Sequence, residues 1–123
     1  MQFLNNYQEQ AYAILRIVSG FLFIWHGTVK LFNFPIEYPY GPLNPLTTAA
    51  GAIEVIGGIL IMIGLFTRPA AFICSGTMAV AYWMAHGMQA LFPITNGGVL
   101  AALYCFVFLF IATKGAGIWS IDK

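Results

Sequence analysis

The sequence predicts an all-α polytopic membrane protein: a single domain over residues 1–123, folded as a four-transmembrane-helix bundle. Three observations predict it. The chain is 60% hydrophobic and 7% charged, with a mean hydropathy of +0.82, whereas a soluble domain is about 45–50% apolar and 25% charged. Its five Lys/Arg and four Asp/Glu are too few to cover a globule of this size, and lipid needs no such cover. The apolar residues also fall into runs of roughly the 20 residues that cross a bilayer, parted by Pro- and Gly-containing turns.

The first run covers about residues 11–32. The Pro-rich loop from Asn33 to Pro45 then prevents it from continuing as helix. The second covers about 46–66 and stops at Thr67-Arg68-Pro69, where proline can open the next helix. The third covers about 70–91, a turn from Phe92 to Gly98 follows, and the fourth covers about 99–114. An even number of spans puts both termini on one side together with Arg68. That side holds Arg16, Arg68, Lys114 and Lys123 against Lys30 on the other, so the positive-inside rule predicts an N-in/C-in protein of the cell inner (cytoplasmic) membrane.

Other classes are set aside on the residues. A net charge of +1 offers no basic stripe for nucleic acid. Cys74 and Cys105 lie inside apolar runs without a CxxC or CxxH neighbour, and read as small buried hydrophobes. The N-terminal stretch has no basic n-region, and no A-x-A site follows the first apolar run in the loop after it, so cleavage is not expected. No glycine-rich phosphate loop, G-x-S-x-G elbow or HExxH is present, and no catalytic residue is assigned. A weak internal repeat pairs His26-Gly27-x3-Leu31-Phe32 with His86-Gly87-x3-Leu91-Phe92, as duplication of a two-helix hairpin would produce.

Ionisable residues inside spans are costly, face the bundle interior and are functional hypotheses by default. Here they are Arg16, His26, Lys30, Glu54 and His86. At about 100° per residue, Arg16, Ser19, Gly20, Phe23, His26, Gly27 and Lys30 share one face of span one. Glu54 shares a face with Thr47, Gly51 and Gly58, small residues that let another backbone approach. His86 shares one with Arg68, Ser75, Ala79 and Tyr82. At about 1.5 Å per residue, Lys30, His86, His26 and Glu54 lie roughly 3, 8, 9 and 12 Å from the outer ends of their spans. Glu54 needs a cationic or hydrogen-bonding partner, and Lys30 or His26 is within reach. Arg16 stands apart near the inner side, able to snorkel inward or to pair with Asp122. The alternative is that these groups only satisfy one another as interhelical hydrogen bonds. A haem held by His26 and His86, or a metal held by His26, Glu54 and His86, has no local ligand spacing behind it, and no metal is assigned.

Three stretches together resemble the DoxX family of small four-span membrane proteins. The first is Arg16-x3-Gly20-x2-Phe23-x2-His26-Gly27-x2-Lys30-Leu31-Phe32, and the second Gly51-x2-Glu54-x2-Gly57-Gly58-x5-Gly64-x2-Thr67-Arg68. The third comprises His86, Phe92, Asn96-Gly97-Gly98-x-Leu100-Ala101-x2-Tyr104 and the tail Gly115-Ala116-Gly117-x-Trp119-Ser120-x-Asp122. The resemblance implies a four-helix bundle in the cytoplasmic membrane, with Arg16, His26, Lys30, Glu54, His86 and Asn96 as its polar positions. Members often carry an acidic residue after Asn-Gly-Gly, where this chain has Val99, so any proton or cation role of that carboxylate is lost. Relatives include a thiosulfate:quinone oxidoreductase subunit and a receptor-assembly chaperone, so the resemblance bears more on fold than on activity.

The expected function is a membrane subunit of a quinone-linked redox system. Its polar stripes would line a cavity that binds a quinone headgroup or passes protons to it, with electrons supplied by a partner. The alternatives are a non-catalytic scaffold or assembly factor and, third, a small-solute or ion conduit. The expected partners are the lipid bilayer and either another protein or further copies of the chain.

Overall fold

The computed structural model describes residues 2–34, 44–87, 92 and 98–122. Among them the chain is all-helical. A 3-10 turn, Gln2–Tyr7, leads into α1 (Gln8–Phe32). Helix α2 runs Pro45–Ile63, α3 runs Thr67–Ala81 and passes into a π-helical turn over Tyr82–Gly87, and α4 runs Val99–Lys114.

Each boundary has a local cause. Helix α1 ends where Asn33 turns left-handed, with φ at 51° and its N–H on the Val29 carbonyl at 3.1 Å. At the start of α2, Asn44 accepts a hydrogen bond from the Thr47 N–H at 2.8 Å and Pro45 fills the first helical position, where a missing N–H costs nothing. The second apolar run was expected to reach Phe66, but its helix stops at Ile63. Gly64, at φ 72°, reverses the chain, its N–H reaching the Ile61 carbonyl at 3.2 Å while the Leu65 N–H reaches that of Leu60 at 2.9 Å. Helix α3 starts at Thr67, three residues before the expected Ala70. Pro69 falls within the first turn, where helix N–H groups have no intrahelical partner.

The start of α3 is capped from far along the chain. The Phe66 and Thr67 N–H groups donate to the Asp122 carboxylate at 2.9 and 2.8 Å. Phe66 itself holds a left-handed φ of 50°, a conformation unfavourable for a bulky side chain and kept here by that carboxylate. Asp122 is delivered by the tail, which folds back across the α2–α3 turn. The Ile121 N–H reaches the Ile63 carbonyl at 3.2 Å and the Asp122 N–H reaches that of Gly64 at 2.8 Å.

Helix α1 packs along α2, α3 along α4, and α2 against α3. The α1–α2 seam is a close backbone contact at glycines. A Cβ at Gly20 would stand 2.7 Å from the Gly58 carbonyl oxygen, and one at Gly27 would stand 2.7 Å from that of Gly51. Glycine is required there because neither backbone can retreat, the small-residue mode of membrane helix packing. Across the bundle, Phe23, Ile61, Cys74, Phe108 and Ile111 are fully buried. Both cysteines are free thiols, Cys74 buried and Cys105 partly so.

The outer faces are as apolar as the core. Leu15, Val18, Leu22 and Trp25 of α1, Ile56 and Ile59 of α2, and Phe72, Ile73 and Val80 of α3 are exposed. Helices α1, with its preceding turn, and α2 are long and apolar enough to cross a membrane, and only 39% and 28% of their most apolar stretches are buried within the protein. A core helix of a soluble protein would be mostly covered; these faces require lipid.

Candidate functional site

The polar residues resolve into two groups at opposite ends of the bundle. At one end, Lys30 in the last turn of α1 meets Glu54 of α2. The ammonium contacts both carboxylate oxygens, at 2.6 and 2.7 Å, with the Glu54 side chain 1% exposed and that of Lys30 18%. Gly51, one turn before Glu54, makes the pairing possible: a Cβ there would stand 3.1 Å from the Cβ of Lys30 and 2.9 Å from Cγ of Leu31. The lysine stem therefore lies against bare α2 backbone on its way to the carboxylate. Of the two partners the sequence allowed for Glu54, the structure selects Lys30.

One turn before Lys30, the partly buried His26 turns its ring toward α4. It meets Tyr104 edge to face at 5.7 Å between centroids, and Tyr104 stacks on Phe108 at 5.4 Å with 9° between planes. Phe23 closes this aromatic group, 5.1 Å from Tyr104 and 4.7 Å from Phe108. Glu54 lies within electrostatic range of Tyr104, and Lys30 of His26. The constellation thus combines a primary ammonium, a carboxylate, an imidazole and a phenol drawn from three helices. It can hold an ionised carboxylate away from water, and it carries two groups able to exchange or share a proton.

Arg16 belongs to the other end. It is fully buried, but neither of the arrangements foreseen for it, snorkelling or pairing with Asp122, is the one adopted. Its Nε donates to the Ile61 carbonyl at 3.0 Å, Nη1 to those of Ile118 at 3.0 Å and Ala116, and Nη2 to that of Trp119 at 2.6 Å. Three of the four acceptors belong to the tail. The guanidinium is a clamp that winds residues 116–119 around itself, satisfying carbonyls that have no helix to bond within. The Tyr12 hydroxyl donates to the Gly115 carbonyl at 2.5 Å, one turn away. Arg68 caps the end of α4, donating to the carbonyls of Ala112 at 3.2 Å, Thr113 at 2.6 Å and Lys114 at 3.2 Å. The Asp122 carboxyl is held below its ordinary value, first by the Thr67 N–H, with the Phe66 N–H and the Arg16 charge adding.

The backbone of His86 lies in the π-helical turn that extends α3. Its expected alignment with Arg68, Ser75, Ala79 and Tyr82 assumed a continuous α-helix, and a π turn underwinds the chain. Asn96 lies outside the described residues. Among the described residues no group of three His, Cys, Asp or Glu side chains could hold a metal ion. Tyr104 entered the sequence reading only through the family resemblance, although a phenol in an apolar run needs a polar neighbour. Asp122 was foreseen as a partner for Arg16, but its capping of α3 was not, since that role depends on where the tail travels.

An all-helical bundle with lipid-demanding faces and a buried ion pair between its helices defines a small integral membrane protein. The chain belongs to the DoxX family, a family of small membrane proteins whose model matches residues 11–87, from α1 to the end of the π turn. It is similar to an uncharacterized protein of Haemophilus influenzae, with 44% identity over 129 aligned residues that take in 100% of this chain and 96% of the relative. No solved structure matches it. The family match ends at Gly87, so α4 and the clamped tail lie beyond it.

Proposed function

We propose that this protein crosses the cell inner membrane four times, with both termini inside, and serves as the membrane subunit of a quinone-linked redox system. His26, Lys30, Glu54 and Tyr104 would bind a quinone headgroup or pass protons to it, and His86 and Asn96 would belong to the same outer region. Helix lengths support the four spans. Helices of 25, 19 and 16 residues, and one of 15 continued by a π turn of 6, extend to about 24–37 Å at 1.5 Å per residue, against roughly 30 Å of hydrocarbon.

The observation that carries the reading is the Lys30–Glu54 pair sunk between helices beside an imidazole set edge-on to a tyrosine. Such groups are costly within a membrane and mark proton or ligand sites. The fit to a quinone is chemical: imidazole and ammonium N–H groups can donate to its carbonyls. A bound quinone would supply the two-electron chemistry, with electrons delivered by a partner subunit or soluble donor. The chain's own residues would orient the headgroup, keep the carboxylate ionised and move protons.

The test is to purify the protein in mild detergent, extract and identify bound quinone, and titrate a short-chain quinone against wild type, His26→Leu and His86→Leu, which remove the imidazole donor. We expect quinone in the wild-type extract and binding per folded molecule reduced at least about tenfold in His26→Leu, the scale of losing a hydrogen bond to a charged or polarised group. Undiminished binding in both variants, or none in wild type, would sink the reading.

A scaffold or assembly role is the second reading, and a specific observation favours it: Arg16 spends its donors on backbone carbonyls, and Lys30 takes both oxygens of Glu54. A stoichiometric protein partner that co-purifies without quinone would put this reading ahead.

A further inference from the structure

The end of the bundle where α2 stops, α3 starts and α4 stops carries an open cleft of about 390 Å³ that the quinone reading does not use. It is lined by Phe66, Thr67, Arg68 and Pro69 on one side and by Lys114, Gly115, Ala116, Gly117 and Asp122 on the other. We propose that this cleft binds the phosphate group of an anionic phospholipid.

The charge balance is the first argument. Asp122, the acidic residue of the lining, has its carboxylate engaged by the Phe66 and Thr67 N–H groups and lies in the field of Arg16. Among the described residues no carboxylate is within ion-pairing distance of Arg68 or Lys114. Arg68 directs three of its five N–H donors to the α4 carbonyls, leaving two for a ligand. The Lys114 ammonium rests 5.2 Å from the centroid of the Tyr12 ring, a contact that leaves its N–H donors for an anion. Two cations therefore converge on a space that holds one carboxylate, itself engaged by two backbone N–H groups.

Shape and surroundings are the second. Gly115, at φ 93°, lies against the guanidinium so closely that a Cβ would stand 3.0 Å from Nη2 of Arg68 and 3.2 Å from its Nε, so the floor of the cleft is open only because this residue is glycine. Phe66 of the lining is 64% exposed, and the exposed Trp119 sits in the tail at the same end. An apolar wall next to a cationic recess at a helix end is the arrangement that takes acyl chain and headgroup together, as basic pockets at membrane helix ends do. A free phosphate shares the headgroup's chemistry but makes no use of that wall.

The test uses the whole chain in mild detergent and reads lipid retention by native mass spectrometry, with melting temperature alongside. The probes are phosphatidylglycerol, phosphatidylcholine and inorganic phosphate. Because Arg68 also caps α4, Lys114→Gln is the primary variant and Lys114→Arg the conservative control. Phosphatidylglycerol is expected to be retained over phosphatidylcholine and to raise the melting temperature. Lys114→Gln should weaken that retention about fivefold, the scale of one cation at an anionic surface, and Lys114→Arg should restore it. Equal retention of the two lipids, or a Lys114→Gln protein that binds phosphatidylglycerol like wild type, would overturn the proposal. Inorganic phosphate that competes the lipid off and matches its thermal effect would overturn the lipid assignment and leave a site for soluble phosphate.

Discussion

The Lys30–Glu54 pair makes an asymmetric prediction. Breaking a buried ion pair by removing one partner costs about 3–5 kcal/mol, because the other charge is left uncompensated. The two halves of this pair are not equally trapped. Glu54 is 1% exposed in mid-helix, whereas Lys30 is 18% exposed in the last turn of α1 and has a flexible stem that can carry the ammonium toward the interface. Lys30→Met therefore strands a carboxylate that cannot move, and its cost should fall in the lower part of that range, about 3–4 kcal/mol. The ceiling is protonation of the orphaned carboxyl, roughly 3–4 kcal/mol at pH 7 from its ordinary value. Glu54→Gln leaves a lysine that can snorkel, so its cost should be about 1–2 kcal/mol, closer to that of a lost charged hydrogen bond. The double variant removes both charges and should fall at least about 1.5 kcal/mol short of the sum, as expected for residues in direct contact. Reversible unfolding of all four proteins in mixed micelles measures these differences. A strictly additive double variant, or a Glu54→Gln protein less stable than Lys30→Met, would refute the reasoning.

Three further outcomes follow from the same structure. Gly20→Ala places a methyl 2.7 Å from the Gly58 carbonyl oxygen and should cost about 1–3 kcal/mol by overpacking, while Gly76→Ala, inside α3 with nothing within 4 Å, should be neutral to stabilising by up to about 1 kcal/mol; equal melting of the two would contradict the close α1–α2 seam. Arg16→Gln removes the donors that hold the tail carbonyls, so limited proteolysis should cut residues 115–122 far faster than in wild type while α1 and α2 stay intact. The Asp122 carboxyl is depressed in the folded protein, so its contribution is present above the ordinary carboxyl value of about 4 and is lost as pH falls through the lower folded value. Amide exchange at Phe66 and Thr67 should accordingly stay slow from neutral pH down to about 4 once corrected for intrinsic rates, and quicken below it; acceleration already at pH 6 would show that this carboxylate is not their partner.

Composition and periodicity alone determined that the solvent is lipid, that the described chain is helical, where the first, second and fourth runs lie to within about three residues, and which residues are too costly to be idle. These are properties of single helices: a run of apolar residues must find lipid wherever its neighbours are, and a charged residue within it must find a partner. The face of α1 that carries Gly20, His26, Gly27 and Lys30 was legible for the same reason, since a 3.6-residue repeat needs no knowledge of the fold. Partners were not legible. Whether Glu54 met Lys30 or His26 depended on Gly51 letting the lysine stem lie against α2, and His26 found Tyr104 on a helix 78 positions away by virtue of the α1–α4 contact. The tail was read as part of the family resemblance and, at Asp122, as a possible partner of Arg16. It became the cap of α3 and the wrapping of Arg16 because unsatisfied N–H and C=O groups at helix ends take whatever donors and acceptors the tertiary path brings to them. Sequence fixes which groups must be satisfied, and only the packed chain decides by whom, because hydrogen bonds and ion pairs act over about 3 Å and that distance is set by how the helices come together.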